Sequence, residues 1–309
     1  MVELPIDRRI HAFHRVGAEL RSWLERHPEP EALHPGADPI SDLVTKQQLN
    51  NPWFTPEQVL RALKEWAGLL EENRLRDWVK DKADEDSVTK RVALIPAGNI
   101  PLVGFHDVLS ILMSGHALLL RPSTDDPDLI PFLLLLLQKE DPDFEQRIRI
   151  ADGKLNDFDA IIATGSNNSA RYFEYYFGKY PHIIRKNRTS VAILDGNETE
   201  EELEGIAEDI MAYFGLGCRS ITKLYLPKDF DLDRLFAKLY AYKHYLDCKP
   251  YSDNYDYHRS LWMMNKVDFL ENGFLMLREE EALHSAVATL HYSRYTDIDS
   301  VKSALQDQK

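Results

Sequence analysis

Cysteine is nearly absent: Cys218 and Cys248 are the only two in 309 residues. Neither lies in a CxxC pair or at Cys/His metal spacing, and a lone bridge is disfavoured without a secretory signal, so both are expected as free thiols. Long apolar runs are missing as well. The longest, at 129–137 within "LIPFLLLLLQKE", falls far short of the roughly 18 to 20 residues that cross a bilayer. It also contains Pro131, so it reads as a buried helix, and no membrane span is expected. Positive charge is the scarcer sign: 37 Lys and Arg face 51 Asp and Glu, a net charge of -14. That balance argues against wholesale binding of nucleic acid, whose phosphates need a basic surface. Small anionic ligands stay open where basic groups cluster. The first residues, "MVELPIDRRIHAF", carry charge in every turn and lack the apolar stretch and small-residue cleavage site of a signal peptide, which points to the cytoplasm. The eleven histidines show no metal pattern and none is expected to hold an ion.

What is present is an ordinary globular composition, 44% hydrophobic and 28% charged, in a length that suits two domains. Up to about residue 85 the pattern is helical and charged. "IHAFHRVGAELRSWLERH" and "PEQVLRALKEWAGLLEENRLRDWVKDK" repeat apolar positions at three- and four-residue spacing, and Thr55 with Pro56 marks a helix start between them. From residue 91 short apolar runs alternate with helices. "RVALIP", "ALLLRPS", "RIRIAD", "FDAIIATGS", "SVAILD" and "SITKLYLP" read as strands. "HDVLSILMSG", "NNSARYFEYYFGKY", "ETEEELEGIAEDIMAYFG" and "LDRLFAKLYAYKHYL" read as helices. Buried strands alternating with helices predict an α/β fold with a parallel sheet wound on both faces. The expected division is 1–188, an N-terminal helical layer with a doubly wound cofactor domain, and 189–309, a smaller α/β catalytic domain. The basic "RKNR" at 185–188 near that boundary is a solvated turn or, read functionally, an anion clamp.

In open parallel sheets ligands sit beyond the carboxyl ends of strands, so the loops there carry the functional reading. "IIATGSNNSA" runs from a strand through Gly165 and Ser166 into a helix whose first N–H groups would face a phosphate. "IPAGNIP" places Asn99 after another strand, where an asparagine also simply ties down its own turn. Cys218, in "FGLGCRSITKLYLP", follows a helix expected to end at Gly215 and precedes a strand. On these residues alone two readings stand side by side: a small buried filler, or a thiol presented where glycines let a ligand approach. Cys248, at a helix end before Pro250, has no such setting and reads as structural.

"IPAGNIP", "SGHALLLRPS", "IIATGS" and "GLGCRSITKLYLP" occur in the order, and at the places relative to strands, of the motifs of the aldehyde dehydrogenase superfamily. Within it the chain most resembles the LuxC-type acyl-CoA reductases, which reduce long-chain acyl-CoA to aldehyde. The motifs cover about 90–226. The resemblance implies Cys218 as nucleophile and Asn99 as an oxyanion-hole amide. It also implies Gly165 and Ser166 beside the cofactor pyrophosphate, and Arg121, Pro122 and Ser123 beside the adenosine ribose. Arg121 replaces the usual lysine and suits a 2′-phosphate, so NADPH is expected ahead of NADH. The glutamate base of the hydrolytic members is replaced by Ile184, which favours transfer from CoA over hydrolysis. An NAD(P)-dependent aldehyde dehydrogenase running toward acid, a non-catalytic nucleotide-binding relative and a homo-oligomer stay open. The superfamily continues beyond the last segment, "SALQDQK", so a C-terminally shortened catalytic domain is also expected.

Overall fold

The alternation of apolar runs and helices resolves into two parallel sheets. In the computed structural model, which describes residues 4–80 and 88–306, the chain forms two compact units, Met1–Asn187 and Arg188–Lys309. Unit 1 opens with four helices, α1 (Ile6–Arg26), α2 (Pro39–Asn50), α3 (Pro56–Leu69) and α4 (Glu72–Val79). Their starts follow from local chemistry. Asp38 accepts from the Ile40 and Ser41 N–H groups ahead of Pro39, and Thr55 accepts from the Gln58 N–H ahead of Pro56. The single helix expected from residue 56 to 82 is instead α3 and α4, and 81–82 lie outside the described residues. The break follows from packing. Leu70 is fully buried against α1, where its Cβ sits 2.6 Å from the place a Gly17 side chain would begin.

The rest of unit 1 is β1 (Arg91–Ile95), α5 (Phe105–Met113), β2 (Ala117–Leu120), α6 (Leu129–Glu140), β3 (Ile148–Ile150), β4 (Ala160–Thr164), α7 (Asn167–Phe177) and β5 (His182–Arg185). The five strands are parallel in the order β3-β2-β1-β4-β5. Ala93, Leu119, Ile161 and Ala163 close the core on one face, with Phe173 and Phe177 of α7 packed over them. The run at 129–137 is inside α6 and largely buried, as its composition requires. Phe13 of α1 meets Phe105 of α5 edge to face at 6.4 Å, which seats the helical layer on the sheet's helices. Among the described residues no helix is long and apolar enough to cross a membrane.

Unit 2 contains β6 (Ser190–Ile193), α8 (Glu200–Met211), β7 (Ile221–Pro227), α9 (Leu232–Leu239), α10 (Lys249–Met264), β8 (Leu270–Glu271), β9 (Met276–Glu279), β10 (Thr289–Tyr295) and α11 (Ile298–Gln306). Its sheet runs β6-β7-β10-β9-β8, parallel except for the β8–β9 pair. Thr199 and Glu202 form a reciprocal capping box, and the acidic run Glu200, Glu201 and Glu202 lies in the first turn, where it complements the helix dipole. Two helices are shorter than expected. The segment after α9 tightens into a 3-10 helix over Tyr240–Asp247. α8 stops at Met211, because Tyr213 and Phe214 take left-handed backbone angles (φ 54° and 60°) before Gly215. That reversal drives the Phe214 ring, 3% exposed, against Tyr245 and Tyr251 at 4.4 and 5.9 Å.

Candidate functional site

The strand order of unit 1 sets where a ligand can enter. The chain builds outward from β1 through β2 to β3, then returns to add β4 and β5 on the other side. The loops after β1 and β4 therefore leave neighbouring strands in opposite directions, and a crevice opens between them at the carboxyl edge. Ile95 pairs with Ala163 at that edge, so the Asn99 loop and the Gly165–Ser166 turn flank the same opening. Arg121 extends β2 at the same edge through its N–H to Leu94 O, 2.9 Å, and Pro122 and Ser123 follow it. Asn99, Arg121 and Ser166 are exposed there. Three strands, β1, β2 and β4, thus bring Asn99, Arg121, Pro122, Ser123, Gly165 and Ser166 to the carboxyl edge of one sheet.

Ser166 is the cap of α7, accepting from the Ser169 N–H at 3.1 Å. Gly165 is required by close packing: a Cβ would lie 2.8 Å from Ser169 Cβ and 3.1 Å from Phe173. The amino end of α7 follows directly on β4 at this edge, and a helix start leaves N–H groups without intrahelical partners, which suits an anion.

The Asn99 loop does not stand alone. A Cβ at Gly98 would fall 2.3 Å from Ser123 Oγ and 2.7 Å from Ser123 Cβ, so only glycine lets this loop lie flat on the β2 loop. Deeper in, Leu102 has φ 58°, a left-handed conformation uncommon for a branched residue, and its N–H donates to Asp126 Oδ2 at 3.0 Å. Asp126 Oδ1 accepts from the Leu129 N–H at 3.3 Å. Asp126 is 2% exposed, and burial pushes its pKa up to about 6, against the lowering effect of these two donors. Sequence reasoning passed over Asp126; in "STDDPDL" it looks like any loop aspartate before a helix.

At the far side, Arg185 Nη1 donates to both oxygens of Asp107, at 2.7 and 2.6 Å. This ion pair joins the end of β5 to the first turn of α5, and the Asp107 side chain is only 8% exposed. Lys186 pairs with Glu174 at 3.0 Å. Of the basic run at 185–188, these two are engaged by carboxylates of the chain itself, which counts against the anion-clamp reading for them. Ile184 lies within β5, paired with Ala163 and packed against the apolar cluster.

Cys218 belongs to unit 2, in a tight turn just ahead of β7. The turn is closed twice: the Ser220 N–H donates to Gly217 O at 3.0 Å, and the Gly217 N–H donates to Ser220 Oγ at 3.1 Å. Ser190 Oγ, on β6, donates to Cys218 O at 3.2 Å. The backbone at Cys218 is thereby pinned from two sides while the residue itself is exposed, as is Arg219. Cys248 is buried, and burial pushes its thiol pKa up, which keeps it protonated and inert. Beside the turn, Gly215, Ile221, Thr222, Tyr251 and Ser285 contribute to a small cavity of about 20 Å³, room for about one water molecule. Past it, Lys223 is fully buried, donating to Glu280 O and, at 2.5 Å, to Ser293 Oγ. Thr222 Oγ1 donates to Leu283 O at 2.8 Å, and His291 Nδ1 meets Ala282 O at 2.9 Å. These side chains stitch 280–283 to β7 and β10, so the strand that follows Cys218 is fixed along its length. No cluster of three or more His, Cys, Asp or Glu that could hold a metal occurs among the described residues.

Comparison with known proteins adds the following. The family model described as acyl-CoA reductase (LuxC) matches residues 40–241. No curated protein sequence matches the chain. Among solved structures, a putative aldehyde dehydrogenase from Burkholderia cenocepacia is 14% identical with a TM-score of 0.68, over 96% of this chain and 71% of that one. An indole-3-acetaldehyde dehydrogenase complexed with NAD+ is 12% identical with a TM-score of 0.68, over 97% and 69%. NADP-dependent glyceraldehyde-3-phosphate dehydrogenase from Bacillus halodurans C-125, complexed with NADP, is 14% identical with a TM-score of 0.66, over 97% and 71%. The fold is that of the aldehyde dehydrogenases.

Proposed function

This chain belongs to the acyl-CoA reductase (LuxC) family, oxidoreductases acting on acyl groups or aldehydes, and from that premise we propose that it reduces acyl-CoA to aldehyde through a thioester on Cys218. The observation that carries the proposal is the exposed Cys218 in a doubly closed turn inside the matched stretch. Its thiolate attacks the thioester carbonyl; a new C–S bond forms to Cys218 and the bond to CoA sulfur breaks, releasing CoA thiolate. The oxyanion formed on the way accepts hydrogen bonds from the Cys218 N–H and the Asn99 amide, the roles the family resemblance assigns them. Pinning of the Cys218 carbonyl by Ser190 and of the turn by Ser220 holds that N–H in one direction.

The cofactor reading rests on the carboxyl edge of unit 1. An open switch point, the amino end of α7 and an exposed arginine at the end of β2 fit a dinucleotide, with Gly165 and Ser166 beside its pyrophosphate and Arg121, Pro122 and Ser123 beside its ribose. Structures of the same fold hold NAD+ or NADP. Arg121 offers a fork of donors to a 2′-phosphate, so NADPH is preferred to NADH. When bound, the cofactor supplies a hydride to the thioester carbon, which is reduced to the aldehyde level. The Cys218–carbon bond then breaks, the aldehyde leaves, and the thiolate is restored. Ile184, packed against the apolar cluster, and the lack of any Asp or Glu over 185–194 leave this stretch without a base to activate water, which supports thioester exchange over hydrolysis. The substrate class follows the family, long-chain acyl-CoA. The test is acyl-CoA-dependent oxidation of NADPH: it should vanish in Cys218→Ala, and unchanged turnover in that variant would overturn the mechanism.

A further inference from the structure

We propose that Asp126 is a positioning residue for the acyl-transfer step, locking the Asn99 loop to the cofactor-side loop through paired hydrogen bonds to the Leu102 and Leu129 N–H groups. The inference rests on the reading that Asn99 serves the oxyanion. Three observations carry it. The carboxylate reaches two elements at once, Leu102 of the loop after β1 and Leu129 at the start of α6, from a place 2% exposed. Leu102 holds a left-handed φ of 58° that its side chain disfavours, so the loop needs an outside restraint to stay in this shape. Gly98, next to Asn99, already lies against Ser123, so the same two loops touch on either side of Asn99. Arg121 and Ser123 stand on the loop that Asp126 belongs to. The Asn99 loop and the loop of Arg121 and Ser123 are thereby tied into one assembly.

The assembly is held from outside as well. Asn51 Nδ2 donates to Asp125 O at 3.1 Å, and Asn50 Nδ2 donates to Asp128 Oδ2 at 3.2 Å. The charged neighbour acting on Asp126 is Asp128 of its own loop; residues 96–104 and the first turn of α6 contain no charged side chain. Ionised, the carboxylate accepts from both N–H groups; below about pH 6 a proton occupies one of the two oxygens and changes that pairing, while relief of the burial cost leaves the folded loop no less stable.

The experiment measures the rate at which an acyl-CoA acylates Cys218, by intact mass, from pH 5 to 8. Wild type is compared with Asp126→Asn, which presents an amide NH2 to one of the two donors, and with Asp126→Glu. Loss of one charged hydrogen bond predicts acylation slower by about tenfold in Asp126→Asn, with the pH limb near 6 gone. Asp126→Glu should recover part of the rate and keep a limb. Equal rates and the same limb in wild type and Asp126→Asn would overturn the role, as would a rate loss matched by the fraction unfolded. If Asp126→Asn does not fold, hydrogen exchange of the Leu102 amide in wild type decides. Protection that rises as pH falls from about 6 to 4, where the enclosed carboxyl takes up its proton, supports the lock, and an unprotected Leu102 amide or protection independent of pH refutes it. Absence of acylation in wild type would instead sink the Cys218 reading, so the two failures are distinguishable.

Discussion

Burying Asp126 carries a cost in stability that can be read from its pKa. Its pKa stands at about 6 against the ordinary 3.8, a difference that corresponds to about 3 kcal/mol. The sign follows from which state binds more protons. Between pH 4 and 6 the folded carboxyl keeps a proton that the unfolded one has released, so stability from this group falls as pH rises through that window. Below about pH 4 the penalty is absent; above about 6 it is complete. Asp126→Asn cannot titrate, so its unfolding free energy should gain on wild type by about 3 kcal/mol between pH 4 and 7, whatever the constant offset between the two side chains. Urea unfolding followed by tryptophan fluorescence suits the measurement, because Trp23, Trp53, Trp66 and Trp78 all lie in the unit that contains Asp126. Parallel stability curves for the two proteins across that range would refute the burial argument. A variant that is no less stable at neutral pH yet slower in acyl transfer is the expected signature of a group kept for geometry.

Other substitutions follow from the same edge of the sheet. Gly98→Ala drives a methyl into Ser123 and should cost ~1–3 kcal/mol, while weakening dinucleotide binding measured by calorimetry; native stability with native affinity would contradict the interlocked loops. Asp107→Asn and Arg185→Gln, with the double variant, should show a coupling energy of ~1–2 kcal/mol in a thermodynamic cycle. That value lies between the limits for exposed and buried pairs because the Arg185 side chain is 35% exposed, and additive effects would show the pair to be idle. Arg121→Ser should raise KM for NADPH by about tenfold or more with little effect on KM for NADH; an equal change for both would remove the 2′-phosphate argument.

The parts of the fold that sequence reasoning reaches are those where local chemistry and burial agree. β1, β2 and β4 stand out as apolar runs because both faces are covered, and Thr55 with Pro56 starts α3 as its composition demands. β5 was missed for the opposite reason: it is a short edge strand whose Ile183 is 52% exposed, so no buried alternation marks it. The end of α8 was misplaced because Phe214 favours a helix locally, and burial against Tyr245 and Tyr251 forces it into a conformation that phenylalanine otherwise avoids. At the candidate site, the loops of Asn99, Arg121 and Gly165 were legible as strand ends, and the strand order explains why they meet on one edge. Their supports were not. Arg185 and Asp107 are separated by 78 positions, and Asp126 reaches Leu102 across 24, so neither pairing leaves a local signal.

The central claim is that Cys218 accepts the acyl group, and it is tested most directly by mixing the protein with an acyl-CoA in the absence of reductant and mapping any added mass by peptide mass spectrometry. The account predicts one acyl group on the peptide containing Cys218, removed as aldehyde when NADPH is added, and no adduct in Cys218→Ala. Acylation elsewhere, or an unmodified Cys218 in protein that binds NADPH, would contradict it.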